Sequence, residues 1–377
     1  MNNSKTIKII GVNSGTSADS LDVSLVKFKG GDITLLNAFS FNYPSGLRNE
    51  ILSAGPNSKV YDIELLNLKL GEFVAKKINQ FISKNNLSKR SIDGIGMHGQ
   101  TIHHSQDSGR TISIQITEAD IVSARTGITT IYDFRKKDIA MGGAGAPLAP
   151  ILDYYLFPSI KRPFICQNLG GIANSTLVSS KLSNCIGYDS GPANCLIDKV
   201  IQFKSNGEIF YDKNGAIATS GTINNGLLRK LLRNPFFSMP PPKSTGNKEF
   251  GIEYARNLYT YSKDKKIKFE DLVATLSMAT VETIASSYEK FVFPYSIAKK
   301  VIISGGGVNN NYIMNNLSRR LPDIEFIKSD KLGIPSKYKE TILFALLCFL
   351  RLSNKKVSLK NLTGSNEKLL LGKISNP

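Results

Sequence analysis

The sequence predicts two α/β domains of similar plan. Its 377 residues exceed the size at which one hydrophobic core usually keeps growing. Strand-like runs, Gly-rich turns and amphipathic helices follow one another in the same order in both halves of the chain. In each half a segment of small and acidic residues comes after an apolar run: Gly11–Asp22 and Ile186–Asn194. We therefore expect domains at 1–140 and 141–340, with 341–377 packing back on the first.

The first half begins with strands and continues with βα units. Gly30–Asp32 is a hairpin signal between the second and third strands. Apolar spacing and turn residues predict strands at 6–12, 22–29, 33–43, 92–97 and 129–134 and helices at 59–84 and 117–126. The glycine-rich run Gly142–Gly145 is a candidate hinge.

The pattern restarts after residue 160. Gly170–Gly171 should form the turn between two strands, and Ile186–Asn194 a tight turn before a helix. The predicted strands are 164–169, 175–178 and 300–303, and the predicted helices are 194–204, 222–233, 250–263, 269–295 and 341–353.

Charge and composition limit the classes of partner that we expect for this protein. The formal net charge of +18 would suit a nucleic-acid-binding protein, but no RNA-binding aromatic signature or helix-turn-helix pattern accompanies it. Without such a motif we expect no nucleic-acid partner, and a lysine-rich field that attracts anionic substrates. The apolar run Ile342–Leu350 is too short to span a bilayer, and the N-terminus lacks a secretory signal. With four cysteines in no CxxC pair, we expect a reduced, cytoplasmic protein without a membrane partner.

Three Gly-rich segments are candidate phosphate sites: Gly11–Asp22, Ile186–Asn194 and Ser304–Asn309. The first holds two carboxylates and several hydroxyls after the first strand, and the third follows a strand of the second half. Glycine lets backbone N–H groups approach an anion, and carboxylates hold a metal or take a proton. The alternative for Gly11–Asp22 is an ordinary surface turn.

Asp189 is the candidate general base. It precedes a predicted helix N-terminus, and a carboxylate there can take a proton from an attacking hydroxyl or water. The alternative is an aspartate that only caps the helix starting near Asn194.

Polar residues at two other strand ends suit a polyhydroxylated, anionic substrate. His98, Gln100 and Thr101 can form hydrogen bonds, and Arg135 can bind a carboxylate or phosphate. Alternatives are polar strand caps, a charged loop at Asp133–Asp138, or a zinc site built on His98, His103 and His104.

Taken together these segments resemble the anhydro-N-acetylmuramic acid kinase family of the actin/Hsp70/sugar-kinase superfamily. No single motif is decisive, but the motifs follow the family order from residue 11 to residue 340. The matching pieces are Ser14–Ser17 with Asp19 and Asp22, His98–Thr101, Thr126–Ile128, Asp133–Arg135, Gly145–Leu148, Asn168–Asn174, Asp189–Pro192, Pro241–Gly246, Gly305–Gly307 with Asn309, Leu332–Pro335 and Lys339–Glu340.

The resemblance implies two RNase H-like domains with an interdomain cleft, and an ATP- and Mg²⁺-dependent reaction in cell-wall recycling. Asp189 would activate a water that opens the 1,6-anhydro bridge of 1,6-anhydro-N-acetylmuramic acid. The freed O6 would accept the γ-phosphoryl group, giving N-acetylmuramate 6-phosphate and ADP. We also expect a homodimer.

The resemblance assigns further residues to the two substrates. Asp19 and Asp22 would hold the metal, and His98, Gln100, Thr101, Arg135 and Glu340 would bind the amino sugar. The nucleotide would be bound by Gly15, Thr16, Ser17, Ala18, Asp19, Ser20, Leu21, Asp22, Gly170, Gly171, Gly191, Gly305, Gly306, Gly307 and Asn309.

The chain departs from the family pattern at several positions. The family usually has Gly at Ser20 and Ala193, Ser at Met97, Gln at Ala144, and Arg-Glu at Asn247–Lys248. Ala193 and Asn247–Lys248 motivate an alternative, a degenerate ATP-binding sensor without catalytic activity on the same fold.

Overall fold

A computed structural model describes residues 5–107 and 109–377, without the side chains of Gln106, Asp107, Asn247 and Lys248. The sequence-based hypotheses about the last two side chains therefore lie outside the described residues. The strands are β1 (Ile7–Ser14), β2 (Ser20–Lys29), β3 (Asp32–Asn42), β4 (Gly94–Met97), β5 (Gln100–Asp107), β6 (Arg110–Ile116), β7 (Thr130–Tyr132), β8 (Phe164–Leu169), β9 (Ile172–Val178), β10 (Ile186–Pro192), β11 (Lys300–Ser304), β12 (Glu325–Lys328), β13 (Val357–Ser358), β14 (Lys368–Leu369) and β15 (Lys373–Ser375). The helices are α1 (Ser45–Ser53), α2 (Val60–Lys84), α3 (Ala119–Thr126), α4 (Lys136–Ala140), α5 (Ala149–Leu156), α6 (Asn194–Lys204), α7 (Ala216–Ser220), α8 (Asn225–Leu232), α9 (Asn247–Phe250), α10 (Ile252–Asp264), α11 (Phe269–Phe291), α12 (Asn311–Arg320), α13 (Lys339–Leu352) and α14 (Lys360–Thr363).

The chain divides into two compact units. The first comprises Met1–Ser159 and Lys337–Pro377, and the second comprises Ile160–Ser336. The domain boundary expected near residue 140 falls inside the first unit, because α5 packs against α13. Lys339, at the start of α13, forms an ion pair of 2.7 Å with Asp153 of α5.

Both units contain a sheet of the same plan. In the first unit the order is β15-β7-β4-β1-β2-β3, and in the second it is β10-β9-β8-β11-β12. The opening meander is antiparallel in each unit, and the following βα strands run parallel to its first strand. This arrangement is the RNase H-like order, used twice as in the actin/Hsp70/sugar-kinase fold. The predicted fold class is confirmed.

Burial explains the principal elements. The helix predicted over 59–84 is α2, whose buried positions recur at helical spacing: Leu66, Leu70, Val74, Ile78 and Phe81. It packs in the core of the first unit with the apolar residues of β1 and β2. In the second unit α11 is buried over most of its length, from Leu272 to Tyr288. Helix α6 begins and ends at the predicted residues.

A pair of glycines lets α13 approach the first sheet. Gly11 of β1 lies beside Gly96 of β4 in the parallel register. A Cβ on Gly11 would lie 1.9 Å from the carbonyl oxygen of Thr341, and one on Gly96 would lie 2.1 Å from that of Phe344. Helix α13 therefore crosses these strands at backbone contact, which no larger residue permits.

Local structure differs from the sequence-based expectation at two segments, and the contacts of a third bear on the candidate hinge. The segment expected to be a tight turn at Ile186–Asn194 is instead strand β10, irregular between Asp189 and Gly191, because its backbone pairs with β9. The β5–β6 hairpin was missed, although the alternation in residues 110–116 is a strand signal. The proposed hinge at Gly142–Gly145 is tied within the first unit: Asp138 accepts the Gly145 N–H at 2.8 Å, and the Ala144 N–H donates to Thr363.

Among the described residues, no helix combines the length and the apolar character needed to cross a membrane.

Candidate active site

The parallel strands of the first unit deliver polar residues to one edge of its sheet. Strand β1 ends at Ser14, β4 is followed directly by His98, and β7 is followed by Asp133 and Arg135. In open α/β sheets ligands bind outside the carboxyl ends of the strands. This edge is therefore a candidate site.

The first Gly-rich turn is a short exposed loop between β1 and β2. The Ala18 N–H donates to the Gly15 carbonyl at 3.0 Å, which closes the turn, and Ala18 itself is buried. Arg48 of α1 braces the loop: its Nε donates to the Ala18 carbonyl at 3.1 Å and its terminal nitrogen to Asp19 Oδ1 at 3.0 Å. Gly15, Thr16 and Ser17 remain exposed and available to a ligand.

The other residues assigned to this segment, Ser20, Leu21, Asp19 and Asp22, also make contacts within the protein. Ser20 Oγ donates to Asp22 Oδ1 at 2.9 Å. The Leu21 side chain lies in the core, so only its backbone could reach a nucleotide. Asp19 is exposed and paired with Arg48, whereas Asp22 is half-buried.

Gln100 supports the same turn from β5. Its Oε1 accepts the Ser14 hydroxyl, and its Nε2 donates to the Gly15 carbonyl at 3.2 Å. The side chain is 1% exposed. Its polar atoms are thus engaged within the protein, and Gln100 fixes the loop that carries the exposed residues.

His98 is coupled to Arg135. Arg135 Nε donates to His98 Nε2 at 2.9 Å, and His98 Nδ1 lies 3.0 Å from the Gly99 carbonyl oxygen. A guanidinium only donates, so Nε2 must accept and the ring proton sits on Nδ1. The ring also stacks on Phe344, with centroids 4.5 Å apart. Nε2 therefore orients Arg135, and the contact of Nδ1 with Gly99 fixes the tautomer.

We expect His98 to remain neutral in one tautomer at ordinary pH. Burial, followed by the charge of Arg135, lowers the pKa of His98 to about 3, so the imidazole is uncharged at any higher pH. Nitrogen-15 NMR should show protonated Nδ1 and bare Nε2 without titration between about pH 5 and 8. A midpoint near the ordinary value of about 6.5 would contradict the coupling.

A third group of polar residues surrounds the start of α13. Asn13 Nδ2 donates to Glu340 Oε2, and Asp22 lies opposite Asn13 in the strand register. Burial raises the pKa of Glu340, the Asn13 hydrogen bond lowers it, the charge of Asp22 raises it and that of Arg135 lowers it. Glu340 therefore brings a carboxyl group to the same edge as Arg135.

The two histidines of the hairpin are held locally. His103 Nε2 lies 2.8 Å from Ser105 Oγ, and His104 Nδ1 lies 3.0 Å from Ser113 Oγ. Thr101 Oγ1 accepts from Gln115 at 3.3 Å. Over the described part of the chain, no three His, Cys, Asp or Glu residues are grouped to hold a metal, which gives the zinc alternative no support.

In the second unit three turns meet at the carboxyl ends of β8 and β11. The Gly170 and Gly171 carbonyls accept the N–H groups of Ala193, Asn194 and Cys195 at 2.9–3.1 Å. These N–H groups begin α6, so the turn occupies the helix end that we expected to face phosphate. Gly305 has φ +91°, and a Cβ there would lie 2.6 Å from the Leu169 carbonyl oxygen. Gly306 has open space around it.

Ala193 does not adopt a positive φ. Its φ is −110° and its ψ is −95°, so its backbone lies outside the left-handed region in which glycine is favoured. Gly191, two residues earlier, has φ +147°. A Cβ there would lie 2.7 Å from the Phe237 ring, so a larger residue does not fit at this position.

Asp189 has one carboxylate oxygen held and one free. Oδ2 accepts the Thr245 N–H at 2.8 Å and the Ser244 hydroxyl at 3.0 Å. Oδ1 has no hydrogen-bond partner within the described residues. Burial raises the pKa of Asp189, and the Thr245 N–H, Ser244 and Lys243 act in the opposite direction. A carboxylate oriented in this way can accept a proton at its free oxygen.

A pocket of about 560 Å³ opens beside these turns. Its walls include Gly306, Gly307, Asn309, Asp198 and Tyr211. Burial raises the pKa of Asp198 to about 7, with Lys199 lowering it and Asp212 raising it. The volume of this pocket is in the range of small-molecule sites, and several of its lining residues are polar.

Several of these residues were missed from the sequence. Arg48, Asp198 and Tyr211 belong to no sequence motif: Arg48 contacts the first Gly-rich turn, and Asp198 and Tyr211 line the pocket. Lys243 lies in the segment Pro241–Gly246, which the sequence marked only as part of the family resemblance.

The fold and these two strand-end sites define a phosphotransferase of the actin/Hsp70/sugar-kinase class. The family model described as anhydro-N-acetylmuramic acid kinase matches residues 7–377. The chain belongs to this family.

Curated relatives agree over nearly the full length. The chain is 37% identical to the anhydro-N-acetylmuramic acid kinase of Caldanaerobacter subterraneus subsp. tengcongensis, over 97% of this chain and 96% of the relative. It is 38% identical to that of Sulfurimonas denitrificans, over 97% and 98%. A solved ROK family glucokinase from Streptomyces griseus aligns over 90% and 98% at 10% identity and a TM-score of 0.41. The family assignment rests on the family model and the sequence relatives.

Proposed function

We propose that this chain is an ATP-dependent kinase that hydrolyses the 1,6-anhydro bridge of 1,6-anhydro-N-acetylmuramic acid and phosphorylates O6. The observation that carries the proposal is Asp189, held at Oδ2 and free at Oδ1, in a chain whose family match spans residues 7–377. The products would be N-acetylmuramate 6-phosphate and ADP.

Asp189 would act as the general base. Oδ1 takes a proton from water as the water oxygen bonds to C1, and the C1–O6 bond breaks. The electron pair left on O6 forms the bond to the γ-phosphorus of ATP, and ADP leaves. The phosphoryl group captures the leaving oxygen, so the step needs no separate acid. Proton acceptance by a positioned group contributes about 10²–10⁴ in rate.

The first unit would supply the groups that orient the sugar and the phosphates. Arg135, oriented by His98, offers its remaining N–H donors to the sugar's carboxylate, which suits bidentate pairing. Glu340 would accept or donate a hydrogen bond at a sugar oxygen. His98 would contribute mainly by holding Arg135, and Gln100 by holding the exposed loop at Gly15–Ser17. Thr101, whose hydroxyl accepts from Gln115, would bind the sugar.

The carboxyl groups of the first unit fit a divalent cation in part. Asp22 is half-buried, and its negative charge raises the pKa of Glu340, a repulsion that a cation would relieve. Asp19 is already paired with Arg48, which makes it the weaker ligand. Mg²⁺ is usually held by one or two carboxylates plus waters and phosphates. Bound there, Mg²⁺ would neutralise charge on the ATP phosphates.

The pocket at Gly306 and Asp198 would take the nucleoside of ATP. Replacing Tyr211, whose ring lines this pocket and is 58% exposed, by Ala should weaken ATP binding about 5- to 150-fold. An aromatic face that stacks on a base contributes roughly 1–3 kcal/mol. Calorimetric titration with ATP would measure it, and Tyr295→Ala, 78% exposed and outside the pocket, is the control. Equal affinities in the two variants would contradict the nucleoside assignment.

A coupled assay of ADP release tests the proposal directly. We expect ADP release that requires both the anhydro sugar and Mg²⁺, with N-acetylmuramate 6-phosphate detected by mass spectrometry. ATP binding without sugar-dependent ADP release would instead support the sensor alternative.

We further propose a cytoplasmic homodimer acting in cell-wall recycling. The proposal is supported by family membership and by four cysteines that form no disulfide within the described residues. Light scattering would test the dimer.

A further inference from the structure

Lys243 is a buried lysine that no step of the proposed mechanism uses. The residue is 6% exposed. Its Nζ donates to the Phe236 carbonyl at 3.0 Å and lies 3.5 Å from that of Phe237. The same atom lies 4.6 Å and 4.9 Å from the ring centroids of Phe236 and Phe291. Burying an ammonium group costs free energy, so its retention needs a compensating role.

The backbone of the same segment is attached to the candidate base. The Lys243 carbonyl accepts the Asp189 N–H at 3.0 Å. The next two residues provide the hydroxyl and the N–H that bind Asp189 Oδ2. Three consecutive residues therefore contact Asp189, and the Lys243 side chain anchors them between Phe236 and Phe291.

The buried charge of Lys243 interacts with the carboxylate of Asp189. Burial, and then the charge of Lys290, lowers the pKa of Lys243 to about 8, while Asp189 raises it. Lys243 is thus protonated at acidic and neutral pH. Its positive charge favours the carboxylate form of Asp189 against the cost of burial. Lys290, the other charge that acts on Lys243, is exposed on α11.

We propose that Lys243 is a positioning residue for Asp189: its side chain anchors the segment that places Ser244 and Thr245 on Oδ2, and its positive charge stabilises the carboxylate. The catalytic consequence rests on the proposed function, but the effect on Asp189 does not.

Titration of Asp189 without substrate tests the electrostatic part. Carbon-13 NMR of aspartate carboxyls would follow the wild type, Lys243→Gln and Lys243→Arg, with Asp189→Asn identifying the resonance. Gln keeps a donor for the Phe236 carbonyl and removes the charge, whereas Arg keeps both. We expect the midpoint of Asp189 to rise by about 0.5 unit or more in Lys243→Gln and to return towards wild type in Lys243→Arg. Lys290→Gln, the matched control, should leave it unchanged.

Turnover tests the catalytic part. A neutral residue at 243 should lower kcat at neutral pH and move the acidic limb of the kcat profile to higher pH. The limb should stay in place with Lys243→Arg, and ATP affinity should stay within about twofold of wild type throughout, since no contact of the pocket at Gly306 is altered.

Three outcomes would overturn the proposal. One is an unchanged Asp189 midpoint in Lys243→Gln despite a fall in kcat, which would make Lys243 a residue of the fold only. Another is an Asp189 midpoint that rises as much in Lys243→Arg as in Lys243→Gln. The third is failure of both Lys243→Gln and Lys243→Met to fold, judged by circular dichroism. A wild type that releases no ADP with the anhydro sugar but shows the shift would refute the proposed function and leave the positioning role standing.

Discussion

Replacing Asp189 by Asn should lower kcat by about 10²–10⁴ while ATP still binds. The amide oxygen can replace Oδ2 and accept from Thr245 and Ser244, so the local structure should persist. The NH₂ group then occupies the free side, where it donates and cannot take a proton. Steady-state ADP release and calorimetry with ATP would separate the loss of chemistry from a loss of binding.

An exposed aspartate offers the matched control for this substitution. Asp323→Asn removes a carboxylate from the surface of the same unit and should leave kcat unchanged. If Asp189→Asn stayed within about threefold of the wild type, far less than loss of a base costs, Asp189 would not be the base.

Replacing Gly11 by Ala should destabilise the first unit by about 1–3 kcal/mol or more. The new methyl group would lie 1.9 Å from the Thr341 carbonyl oxygen, so α13 must move or β1 must bend. In a unit of this size each kcal/mol lowers Tm by roughly 2–4 °C. Because Glu340 lies in the same turn of α13, kcat should fall as well. Thermal unfolding followed by circular dichroism would measure the change.

Gly46 provides the comparison for a glycine without contacts. It lies in α1, and nothing is found within 4 Å of the position of its Cβ. Gly46→Ala should therefore leave Tm unchanged or raise it, since alanine favours a helix over glycine by up to about 1 kcal/mol. A Tm for Gly11→Ala equal to the wild type would mean that α13 does not lie on β1 as described.

The local pattern of the sequence determined much of the secondary structure and the class of the protein. Helices α2 and α6, the strands of the first meander, and β8 and β9 of the second follow from apolar spacing, which depends on neighbouring residues only. The duplicated order of strands and turns predicted the doubled fold. The motif series, each piece short and together spanning the chain, indicated the family to which the chain belongs. The assignments of individual site residues stay predictions.

The tertiary structure alone decided how the site residues are held. Thr245 meets Asp189 from 56 positions away, and Glu340 meets Asn13 from 327 positions away. It also turned the expected loop at Asp189 into strand β10, since pairing with β9 satisfies its backbone. The same packing buried Lys243, and it set the neutral tautomer of His98 through Arg135. Such contacts join segments that are distant in the chain, and local spacing carries no information about which distant segments will meet.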